Sequence, residues 1–64
     1  MKRINRKKLI TELEFLRQGF ATAITEAKRD NDKIAEISFN AYHYNTDKLI
    51  VELGGESVRT DNQK

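Results

Sequence analysis

Ile34-Ala35-Glu36-Ile37-Ser38-Phe39-Asn40-Ala41-Tyr42, followed after a short interval by Lys48-Leu49-Ile50-Val51-Glu52-Leu53, is the stretch on which the fold class turns. Ala35, Ile37, Phe39 and Ala41 alternate with Glu36, Ser38, Asn40 and Tyr42, and a period of two is the mark of a half-buried strand. Leu49, Val51 and Leu53 alternate in the same way with Lys48, Ile50 and Glu52. Asn45-Thr46-Asp47 lies between the runs and is made of turn formers. The pattern predicts an antiparallel hairpin over 34–44 and 48–53 with one apolar face. Gly54-Gly55 offers a two-residue turn into a short third strand at 56–60, whose one apolar residue is Val58. Residues 61–64 are expected to be a tail.

Upstream, Leu9, Leu13, Leu16, Phe20, Ala23, Ile24 and Ala27 recur at helical spacing within an arc of about 100°, the width of a core-facing stripe. Asn5 is an N-cap residue type, Lys28-Arg29 put cations in the last turn, and Asp30-Asn31-Asp32 breaks the pattern. One helix over 5–29 is expected. Gly19 is its weak point, at a cost of about 1 kcal/mol relative to Ala. A break there would give two helices, but the stripe keeps its phase across it. The fold class expected is therefore α+β: a single domain, 1–64, in which a long amphipathic N-terminal helix lies over a β-hairpin of two strands, or three.

Composition narrows the chemistry. The chain has 64 residues, 38% of them apolar, with no Cys, Pro or Trp and a single His. A fold of this size buries only about 60% of the surface that its unfolded chain exposes. Small folds usually add a disulfide, a metal or a partner chain. Without cysteine there is neither a disulfide nor a thiolate metal site, which leaves good local structure or association. His43 stands alone between Tyr42 and Tyr44, and Ser38 and Ser57 lack the context of a nucleophile. Asp30-Asn31-Asp32 resembles the start of a calcium loop, but Ala35 and Ala41 occupy the positions that need Gly and Glu. No enzyme activity, cofactor, metal or small-molecule substrate is expected. No apolar run approaches the roughly 20 residues that cross a bilayer, and no signal-peptide core follows the basic start. A cytoplasmic protein without membrane contact is expected.

The charge is uneven. Lys2, Arg3, Arg6, Lys7 and Lys8 fall in the first eight residues, and the rest of the chain carries seven bases against ten acids. A cationic arm (residues 1–8) thus precedes an acidic body. The arm is suited to phosphates or to an acidic protein surface. Tyr42 and Tyr44, two apart on the outer face of the expected sheet, would offer a stacking platform to a nucleic acid. Phe15, Gly19 and Thr22 form a second, thinner stripe on the helix, and Ile50, Tyr42 and Tyr44 face away from it on the sheet. This surplus of apolar surface points to a homodimer and to a larger protein as partner, with nucleic acid as the alternative.

The order of elements is similar to part of a bacterial sliding-clamp module: Arg6-Lys7-Lys8-Leu9-Ile10-Thr11-Glu12-Leu13 as helix, then Ile34-Ala35-Glu36-Ile37-Ser38-Phe39 and Asp47-Lys48-Leu49-Ile50-Val51 as strands. That resemblance implies the order helix, strand, strand and carries no residue role. The lysine-rich start, single amphipathic helix and catalytically bare hairpin also look like those of short phage-encoded accessory proteins. This second resemblance implies a non-enzymatic modulator that binds and redirects a larger host factor, for instance in DNA replication, in transcription or as a repressor.

Overall fold

Asn5 and Asp32 are the two side chains that start helices. The Oδ1 of Asn5 accepts from the backbone amide of Lys8 at 3.1 Å, and that of Asp32 from Ala35 at 3.1 Å. Each occupies a β-region N-cap and satisfies a donor that the first helical turn leaves open. The computed structural model describes residues 5–58. It contains helix α1, Arg6–Arg29, and helix α2, Lys33–Glu52, which pack against each other as an αα-hairpin.

The α+β expectation is overturned. No strand occurs among the described residues, and the segments expected as strands, 34–44 and 48–53, lie almost wholly in α2. The supposed turn Asn45-Thr46-Asp47 sits inside that helix. Residues 56–58 are not strand either; the rest of the expected third strand, 59–60, and the tail 61–64 lie outside the described residues. The helix–strand–strand order of a sliding-clamp module goes with them.

The physical reason is visible on α2. Ala35, Phe39, His43, Thr46, Ile50 and Leu53 recur every three or four residues, and all are buried or half-buried. This is a helical stripe turned towards α1. Two of its members are polar, so it does not read as an apolar stripe. Ile34, Ile37, Ala41 and Tyr44, also at helical spacing, point the other way and are exposed. The apparent alternation of 35, 37, 39 and 41 samples both faces in turn.

Turn chemistry sets the helix ends. Asn31 has φ 61°, the left-handed conformation that Asn tolerates better than most residues. Its amide donates to the Lys28 carbonyl (3.1 Å), and the Asp32 amide donates to that of Ala27 (2.8 Å). These are the paired bonds of a Schellman stop. Asp32 thus closes α1 with its backbone and opens α2 with its side chain. Gly54, at φ 101°, repeats the device after α2, with Gly54 donating to Val51 (3.0 Å) and Gly55 to Ile50 (2.8 Å). The same Gly-Gly pair that suggests a hairpin turn therefore ends a helix.

Beyond α2 the chain doubles back over the open end of the hairpin. A Cβ at Gly55 would stand 2.5 Å from Ile50 Cγ2 and 3.2 Å from Ile10 Cγ2. Ile50 is fully buried and β-branched, so it has little room to give. Gly55→Ala is expected to destabilise the fold by about 1–3 kcal/mol through overpacking. Asp32→Ala should cost about 1 kcal/mol as a lost cap. Urea unfolding followed by far-UV circular dichroism reads both; a Gly55→Ala variant as stable as the parent would contradict the close approach.

Candidate interaction surface

One polar constellation holds the open end of the hairpin. Arg17 on α1 donates from Nη1 to Asp47 Oδ1 on α2 at 2.6 Å, and from the same nitrogen to the Glu56 carbonyl at 2.9 Å. Ser57 Oγ donates to Asp47 Oδ2 at 2.5 Å, and the Val58 amide to Asp47 Oδ1 at 3.1 Å. Asp47 is only 3% exposed. Both helices and the returning C-terminal segment therefore meet on one carboxylate. Burial by itself would raise the Asp47 pKa. The hydrogen bonds from Ser57, the Val58 amide and Arg17, together with the Arg17 charge, outweigh it and hold the carboxyl below its ordinary value.

Among the described residues, this clamp lies on one side of the two-helix layer and leaves the other open. On α1, Phe15 lies about 200° around the helix from Arg17, at 100° per residue. Glu12, Phe15, Leu16, Gly19, Phe20 and Ala23 line an open depression with Phe39 of α2. Behind it, the rings of Phe20, Phe39 and Tyr42 cluster, with centroids 5.5 Å apart for Phe20–Tyr42 and 6.2–6.3 Å for the other pairs. Phe15 is 75% exposed. Leu16, a member of the expected core stripe, is also exposed, because it sits at that stripe's rim on the open side.

The other residues singled out in the sequence fall as follows. Gly19 and Thr22 are exposed beside Phe15. Ile50, expected on an outer sheet face, is instead the most deeply buried side chain described, with 0% exposure. The helical period turns it towards α1. Tyr42 and Tyr44 are both half-exposed, but two positions on a helix are about 200° apart, so they form no common platform. Arg6, Lys7 and Lys8 are exposed in the first turn of α1, and Lys2 and Arg3 lie outside the described residues. Arg17, Asp47 and Ser57 are missed by strand reasoning; with α2 read as a helix, Asp47 falls beside Thr46 and Ile50 on the face towards α1.

Among the described residues, no group of three or more His, Cys, Asp or Glu converges as a metal site, and no helix is long and apolar enough to cross a membrane. His43 is half-buried within α2. No family model, curated protein or solved structure matches the chain.

Because the native Asp47 carboxyl binds its proton less readily than in the unfolded chain, its contribution to stability is complete above the ordinary carboxyl pKa of about 4. It is lost as the pH falls through the lower native value. Urea midpoints measured from neutral pH down to strong acid should fall over that window, and Asp47→Asn should flatten the fall. Asp47→Ala at neutral pH leaves the half-buried Arg17 with the Glu56 carbonyl alone and removes the acceptor of Ser57 and the Val58 amide, and should cost about 2–3 kcal/mol.

Proposed function

We propose that this chain is a non-enzymatic protein-binding modulator that works as a homodimer on a larger protein, such as a replication, transcription or repressor factor. The observation that carries this reading is how little apolar surface the hairpin buries. Ala27 and Ile50 are the buried apolar residues among those described, whereas Phe15, Leu16, Ile34, Ile37, Tyr42, Tyr44, Leu49 and Val51 remain exposed on its helices. Ile34 and Ile37 are 79% and 69% exposed. Exposed apolar surface in continuous stripes marks a contact site, whereas scattered exposed residues do not. Two packed helices form a single layer, and stable domains usually bury theirs against another.

Sedimentation equilibrium of the full chain at micromolar concentration is expected to give twice the 7.4 kDa of the monomer. Ile37→Asp is expected to weaken binding of the larger partner without changing that mass. A clean 7.4 kDa species would remove the dimer from the reading.

Nucleic-acid binding is the second reading, favoured by Arg6, Lys7 and Lys8 standing exposed together in one helical turn. It predicts a log–log salt slope of about −3 for three phosphate contacts on a duplex. Absence of a mobility shift with DNA or RNA at low salt would leave the protein-binding reading alone.

A further inference from the structure

Gly19 is hard to explain from within one chain. Glycine in a helix interior costs about 1 kcal/mol relative to alanine. A Cβ built at Gly19 meets nothing within 4 Å, so the hairpin's own packing does not require its absence. On one side of it along the helix is Phe15, a large ring 75% exposed. Lys8, Phe15, Gly19, Thr22 and Glu26 lie within about 60° of one another around α1, at 100° per residue, and all five are exposed. The stripe therefore runs from a cation at one end, through a bulky ring and a gap, to an anion at the other.

That order is self-complementary. In an antiparallel pair of helices related by a two-fold axis, one level of the helix faces itself and positions equally far above and below it exchange. An axis at the level of residue 17 sets Phe15 of each copy against Gly19 of the other. The same axis sets Lys8 against Glu26 twice. A bulky knob thus meets the gap left by a missing side chain, and opposite charges meet at both ends. The described part of the C-terminal segment holds to Arg17 and Asp47 on the other side of the layer, and among the described residues none covers Phe15, which is 75% exposed.

We infer that a second copy of this chain packs on the open face of the hairpin, α1 antiparallel to α1, with each Phe15 seated over the partner copy's Gly19 and each Lys8 paired with the partner copy's Glu26. The product is a four-helix dimer in two layers, with the Phe20, Phe39 and Tyr42 rings next to the seam. This interface rests on the self-association reading above and specifies its surface and orientation. It leaves the outer stripe of α2, with Ile34 and Ile37, facing outward on both sides of the dimer for another partner.

The test is sedimentation equilibrium of the full chain, with far-UV circular dichroism to confirm helicity. Lys8→Glu and Glu26→Lys each place like charges at both ends of the seam and should raise the dimer dissociation constant about tenfold or more. An acid near the helix start and a base near its end suit the helix dipole, which offsets the like-charge pairs that Lys8→Glu makes with Glu12 and Glu26→Lys with Arg29. The double variant Lys8→Glu/Glu26→Lys restores opposite charges across the seam and should recover the parental constant. Gly19→Leu fills the gap and should give monomers whose helicity is at least that of the parent. If Gly19→Leu dimerises like the parent while Ile37→Asp gives monomers, the seam lies on α2; this interface is then wrong although the chain still self-associates. Failure of the double variant to recover would overturn the antiparallel register. A parental chain that is itself a monomer would overturn both the interface and the self-association reading.

Discussion

One carboxylate organises the open end of this molecule. Asp47 takes hydrogen bonds from Arg17 across the helix pair and from Ser57 and the Val58 amide of the returning segment. Two helices alone offer a narrow seam, and the apolar side chains that they bury are small in number. Where hydrophobic burial is thin, a largely buried carboxylate that takes an ion pair and two further hydrogen bonds fixes geometry that a smooth apolar contact would leave loose. Its partners also explain why the chain reverses at Gly54-Gly55. Only a residue without a side chain lets the backbone pass so close to Ile50 and bring Ser57 to the carboxylate.

The clamp also divides the surface. The described end of the C-terminal segment, up to Val58, lies against one side of the layer. The other presents Phe15, Leu16 and Gly19 beside three clustered rings. The outer edge of α2 adds Ile34 and Ile37. Among the described residues, much of the apolar content thus lies on surfaces that the helix pair does not close. This is the physical basis for reading it as a binding protein.

The sequence discloses the first half of this structure better than the second. α1 is legible because its cap, its stripe and its stop agree: Asn5, then Leu9 to Ala27, then Asp30-Asn31-Asp32. α2 is not, because its inner face is partly polar and its outer face partly apolar. Thr46 hides its hydroxyl by donating to the Tyr42 carbonyl at 2.7 Å, and Asp47 takes Arg17, so two turn-forming residue types become core members of a helix. The cue that outweighs the alternation is the lack of any Gly or Pro between Asp32 and Gly54, two residues able to start and stop one helix. Of the candidate surface, Phe15, Gly19 and Thr22 stand where helical spacing puts them. Ile50 and the tyrosine pair fall on other faces than a period of two predicts, because the chain follows the helical period there.

The tight Asp30–Asp32 connection has a kinetic side. Contacts next to it join residues only a few positions apart, whereas Arg17 must find Asp47 thirty residues away and Glu56 thirty-nine away. Loop-closure entropy grows with the logarithm of the intervening length. Pairing of the helices next to the turn shortens the loops that remain, so the clamp gains from every contact that precedes it along the seam. Thr46, Asp47 and Ile50, three of the four buried residues described, lie at the seam's far end, so burial is greatest where the closure is longest.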